Sequence, residues 1–112
     1  MSAALLLVTR RAEFASRITT VIPDLAVTIA EPDTVTADQW VSAPVVVVDP
    51  VALPELRTRA LPAAPQVWVV TETPPAPAVF VDAVTVRVQR LVELPLAGAW
   101  LATALRSAAS AA

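Results

Sequence analysis

Lysine, histidine and cysteine are absent from this sequence, and glycine occurs once, at Gly98. Without Cys or His there is no disulfide framework, no thiol nucleophile, no imidazole base and no ordinary zinc site. A lone glycine cannot build a phosphate-cradling loop or a Gly-rich dinucleotide-binding turn. These absences remove most enzyme classes. Missing cysteine is compatible with every compartment and locates nothing. Charge is also sparse, at 16% of residues: ten acids face eight bases, all arginine, for a net −2. The arginines are scattered apart from Arg10-Arg11, whereas a nucleic-acid groove wants a basic stripe with exposed aromatics nearby. The uncharged stretches 60–71 and 95–105 are too short to span a bilayer and are broken by Pro or Gly. Residues 1–8 are apolar, but no cation precedes them and Arg10-Arg11 follow, the reverse of a secretory signal. A soluble, cytoplasmic domain is the expectation.

What is present is hydrophobic: 56% of 112 residues. That excludes intrinsic disorder, and the length predicts a single domain over 1–112 with one core. Residues 4–9 (ALLLVT) form a continuous apolar run, the pattern of a strand covered on both faces. The period then changes: Phe14, Ile18 and Val21-Ile22 mark one face of a helix, ended by Pro23-Asp24. Residues 25–29 (LAVTI) predict a second strand. A short helix is expected over 32–43, with Asp33 or Thr34 as N-cap and Val35 and Trp40 facing inward.

Four consecutive valines, 45–48, closed by Asp49, favour a central parallel strand. A helix over 50–61 would bury Leu53, Leu56, Ala60 and Leu61, with Pro54 tolerated in its first turn. Residues 66–71 (QVWVVT) predict a fourth strand. A stiff Pro-rich loop at 74–77 leads to a helix over 78–86 with Val79, Ala83 and Val86 on one side. A short strand at 90–93 and a helix over 96–109, burying Trp100, Leu101, Ala104 and Leu105, complete the chain. Residues 108–112 read as a frayed end or the start of a linker.

Strict βα alternation with short connections implies a parallel sheet with helices on both faces. Five strands in this length suit the flavodoxin-like (CheY-like) doubly wound α/β fold, strand order 2-1-3-4-5. In such a sheet, ligands gather beyond the carboxyl ends of strands 1 and 3. The strand ends there and beside them carry Thr9-Arg10, Asp49, Thr71 and Leu94-Pro95.

An aspartate after VVVV, a hydroxyl after VWVV and an X-Pro after the last strand resemble the receiver domains of two-component signalling, over nearly the whole chain. The resemblance makes Asp49 the equivalent of the phosphoacceptor and Thr71 that of the strand-4 switch residue. Thr9-Arg10 stand where the family has the acidic pair that holds Mg²⁺, and Leu94-Pro95 where it has Lys-Pro, commonly with a cis bond. A hard dication needs carboxylate oxygens, which Thr9 and Arg10 do not offer. Leu94 removes the cation that ties phosphorylation to a loop shift. These departures imply a pseudoreceiver that needs no metal or cofactor, with no catalysis; a genuine phosphoaccepting receiver is the alternative.

Each of these residues also has a simpler reading. Asp49 before Pro50 is a natural N-cap, or it pairs with Arg10 or Arg11 in a frozen salt bridge. Thr71 is a strand-end hydroxyl, Arg10-Arg11 a solvated first turn, and Trp40, Trp68 and Trp100 packing residues, Trp100 the most exposed of the three.

Within the receivers, VVVVDPVALPELRTRALPAAPQVWVVTE and RLVELPLAGAWLATAL resemble the N-terminal domain of actinobacterial CpaE/TadZ-like (septum-site-determining) proteins. In that family an atypical receiver precedes a MinD/ParA-like ATPase of Flp pilus assembly and Tad secretion. The resemblance implies a protein interaction and localisation module, recruited to a cell pole or septum, binding a partner or itself. Receivers often associate through helix 4, strand 5 and helix 5, where Val81, Val88, Leu96 and Trp100 are the candidate interface residues.

Overall fold

The computed structural model describes residues 5–71 and 76–110, with the backbone alone for 94–99 and 110. The elements in order are β1 (Leu5–Val8), α1 (Ala12–Val21), β2 (Val27–Ala30), α2 (Ala37–Ser42), β3 (Val45–Val48), α3 (Leu53–Arg59), β4 (Val67–Thr71), α4 (Pro77–Val86), β5 (Arg90–Glu93) and α5 (Leu94–Ser110). A single 3₁₀ turn, Pro50–Ala52, enters α3. The five strands form one parallel sheet in the order β2-β1-β3-β4-β5, the flavodoxin-like arrangement expected from the alternation.

The strand sequences explain which strands are central. Every side chain of β1, β3 and β4 is buried, whereas β2 and β5, at the edges, are partly open. Alternate residues feed two cores, as the two-residue strand period demands. Leu5, Leu7, Val45, Val47, Trp68 and Val70 pack under α1 and α5, meeting Phe14, Ile18, Ile22, Leu101 and Leu105. Leu6, Val8, Val46, Val48, Val67 and Val69 pack under α2, α3 and α4, meeting Val35, Trp40, Leu53 and Leu56. Each fully buried valine or leucine contributes about 1.5–3 kcal/mol relative to exposure, so the four-valine strand is a major source of stability.

Several helix ends differ from the expected ones. The cap of α2 is Thr36, not Asp33 or Thr34. Its hydroxyl accepts from the Gln39 amide while the Gln39 side chain accepts from the Thr36 amide. This reciprocal box satisfies two free amides at once, which a lone cap at Asp33 or Thr34 would not. Residues 32–34 form a turn instead, held by the Arg59 guanidinium on the carbonyls of Pro32 and Val35. Ala60 is exposed, because it lies beyond α3 in a left-handed conformation. Helix α5 starts at Leu94 and extends to Ser110, with Ala108 buried and Ala109 packed on the core. The end expected to fray from residue 108 is therefore a helical turn in contact; residues 111 and 112 lie outside those described.

Candidate functional site

Beyond the carboxyl ends of β1 and β3 the backbone itself brings two residues together. The Thr9 amide continues the sheet by donating to Ala30, and the Asp49 amide donates to the carbonyl of Val8. Thr9 and Asp49 thus lie side by side, both buried, Asp49 at 1% exposure. The Thr9 hydroxyl donates to Asp49 Oδ2 at 2.8 Å and accepts from the Arg11 amide at 2.9 Å. That local bond sets the turn from which Arg11 reaches back over the carboxylate.

Arg11 closes the site. Its Nε donates to Asp49 Oδ2 at 2.7 Å and its Nη2 to Oδ1 at 2.9 Å. This two-pronged geometry is the strong form of a guanidinium–carboxylate contact. The Val51 amide donates to Oδ1 at 3.0 Å, so Asp49 is also the N-cap of the 3₁₀ turn. Each carboxylate oxygen accepts two hydrogen bonds, which fills the four lone-pair directions a carboxylate offers. The guanidinium also lies 5.4 Å from the centre of the Phe14 ring, a favourable cation–π distance.

Burial alone would push the Asp49 carboxyl up. The hydrogen bonds from Arg11, Val51 and Thr9, with the Arg11 charge, outweigh burial and hold it below its ordinary value. Every group facing Asp49 in this set is a donor, and the nearest charge is a fixed cation. A Mg²⁺ ion requires oxygen acceptors at that place. Among the described residues no three acids gather to hold a metal. The residues present do not fit the ion.

Arg10, the other candidate partner, turns the opposite way. It forms ion pairs with Glu55, Asp33 and Glu31, clasping the loop after β2 and helix α3 to the start of α1. Arg10 sits at a bend and Arg11 follows in extended backbone, and of the pair Arg11 is the one that reaches Asp49. This three-carboxylate clasp was not foreseen from the sequence, because its members come from three separate segments. Arg57 with Asp82, and Arg106 with Asp24, are further unforeseen pairs.

None of the other candidates with described side chains hydrogen-bonds to Asp49. Thr71 is buried at the end of β4, its hydroxyl directed at the Val92 carbonyl 3.5 Å away. Leu94 and Pro95 form the first residues of α5, and no peptide bond among the described residues is cis; their side chains, and that of Leu96, lie outside those described. Val81 is exposed on α4, and Trp100 is 47% exposed on α5. Val88 differs from the expectation of an exposed patch, since it packs against the core beneath α4. Trp40 and Trp68 are buried.

Comparison with known proteins places this geometry in a family. A family model described as the Rv3660c-like, CheY-like N-terminal domain matches residues 8–112. Among solved structures, a signal receiver domain of a two-component signal transduction histidine kinase from Clostridium thermocellum is similar, with a TM-score of 0.63 at 15% identity, over 93% of this chain and 94% of that one. Comparison with the curated proteins finds no match. At that identity the solved structure attests the fold, while the family model covers nearly the whole chain, including Thr9, Arg11 and Asp49: the chain belongs to the Rv3660c-like family of CheY-like N-terminal domains.

Proposed function

We propose that this receiver-like domain is a pseudoreceiver, a non-catalytic module that binds protein partners and carries no phosphoryl chemistry. One observation carries the reading: all four acceptor directions of Asp49 are taken by Arg11, Thr9 and Val51. An attacking carboxylate oxygen needs a free lone pair and a metal ion to neutralise the phosphoryl oxygens. Here the lone pairs are engaged, and a guanidinium stands in the metal's place.

The partner we propose is a MinD/ParA-like ATPase of the CpaE/TadZ type, either fused to this domain or working with it. The cellular role would be localisation, in the cytoplasm and at a pole or septum, for Flp pilus assembly, Tad secretion or septum-site placement. The sequence phrases quoted above support this, as does a family description that calls such domains N-terminal. The surface supports it too. Phe80, Val81 and Val84 on α4 are 52%, 61% and 78% exposed, while the single charged residue of that helix, Asp82, is turned inward to Arg57. A helix that shows solvent its apolar side is the kind of face that protein partners cover.

Co-expression with a MinD/ParA-like ATPase of the CpaE/TadZ type from the same genome tests the proposal. The two should co-purify, or the domain should self-associate, and Val84→Asp should weaken that association at least tenfold. Recovery of the domain as a monomer without the ATPase would overturn the adaptor role.

A further inference from the structure

At the opposite end of the sheet from Asp49, two indoles and an arginine form a second arrangement. Trp68 on β4 is paired in register with Arg90 on the edge strand β5. Trp100 on α5 stacks on Trp68, with ring centres 6.2 Å apart and planes 15° from parallel. The Arg90 guanidinium lies 5.2 Å from the Trp68 ring centre and 5.6 Å from that of Trp100. Gln66 fixes the buried indole by accepting from Trp68 Nε1 at 3.1 Å. Beside this stack lies a trough of about 340 Å³ that Ala104, Ser107 and Ala108 also line. With Trp100 they follow the i, i+4, i+7, i+8 stripe of one helix face, and their small side chains leave the space.

We propose that this trough is a recognition site for an acidic segment of a protein partner, with Arg90 taking an aspartate or glutamate carboxylate and Trp100 covering the apolar neighbour of that residue. The inference deepens the adaptor reading above and rests on it for the existence of a partner. Charge complementarity carries it. Arg10, Arg11, Arg57 and Arg106 are each paired with a carboxylate of this chain. Arg90 is exposed and, among the described residues, is held only by aromatic faces. Aromatic stacking orders the guanidinium while leaving its N–H edge available for a two-pronged contact. Arginine and tryptophan together are the side chains that most often dominate protein interfaces. A single cation in a trough that Gln66 and Ser107 also line, on a chain of net charge −2, suits one carboxylate. A phosphate-rich surface instead draws on several cations at once.

The test is an NMR titration of the whole 112-residue chain, reading the indole N–H signals of Trp68 and Trp100 and the Arg90 Nε–H. The probes are acetyl-Leu-Glu-Leu-amide, its Gln counterpart, inorganic phosphate, and vesicles of phosphatidylglycerol. The Glu peptide should shift these three signals saturably, the Gln peptide should bind at least tenfold more weakly, and Arg90→Gln should cost at least tenfold. Arg90 lies on the surface of an edge strand, and an otherwise unchanged amide spectrum verifies that the variant is folded. Equal binding of the Glu and Gln peptides, indifference to Arg90→Gln, or stronger shifts from phosphate or vesicles than from the peptide would each overturn the proposal. The two readings fail separately. ATPase capture that survives Arg90→Gln overturns this site and leaves the adaptor role, whereas a Glu-selective titration without ATPase capture does the reverse.

Discussion

Arg11 and Asp49 are unequal partners, and the inequality is measurable. Asp49 is 1% exposed and Arg11 is 36% exposed at its side chain, so removing one strands a buried charge and removing the other frees a charge that can turn to water. Breaking a fully buried pair from one side costs about 3–5 kcal/mol, and the exposure of Arg11 lowers that for this site. Arg11→Ala should therefore destabilise the domain by about 2–4 kcal/mol, and Asp49→Asn by about 1–2 kcal/mol. Urea unfolding of both variants checks the order. Acid provides a second check. The folded carboxyl of Asp49 titrates below its ordinary value, so its contribution is complete above about pH 4 and is lost as pH falls through the folded value. Without Arg11, its hydrogen bonds and charge no longer hold the carboxyl down, so Asp49 takes up its proton at a higher pH than in the wild type. The stability gap between wild type and Arg11→Ala should thus narrow from pH 7 to pH 3; a gap that widens contradicts the pairing.

Among the elements, α3 and α4 both end on non-glycine residues in the left-handed region, Ala60 at φ 50° and Arg87 at φ 66°. This conformation crowds the Cβ of an L-residue, and glycine is the usual occupant. Ala60→Gly and Arg87→Gly should each raise stability by about 0.5–1 kcal/mol, less the added freedom of glycine in the unfolded chain; thermal melts give the sign. Much at this scale was readable beforehand. The runs LLLV, VVVV and VWVVT are continuous because the central strands are covered on both sides, which marks β1, β3 and β4 as the inner strands. Helix starts were less readable: a Thr36–Gln39 box and a residue such as Asp33 look alike until Val35 must be buried. The site shows the same division. Strand ends put Thr9 and Asp49 together, but the choice between Arg10 and Arg11 depended on a turn set by the Thr9 hydroxyl. The Trp68–Arg90 contact required a β4–β5 register that no local pattern carries.

For the molecule as a whole, the sheet separates two ends with different characters. One holds Asp49 in a closed set of hydrogen bonds; the other presents Trp100 and Arg90. No helix among the described residues is long and apolar enough to cross a membrane, and three of the large hydrophobics exposed among them, Phe80, Val81 and Val84, sit on α4. The domain keeps receiver architecture, and on the pseudoreceiver reading proposed above its own side chains block phosphorylation. Intact mass spectrometry after incubation with acetyl phosphate and Mg²⁺, with Asp49→Asn as the reference, tests this most directly. The mass of the wild-type chain should be unchanged and match the treatment response of the reference. A phosphoryl adduct on the wild type that disappears in Asp49→Asn would contradict the account.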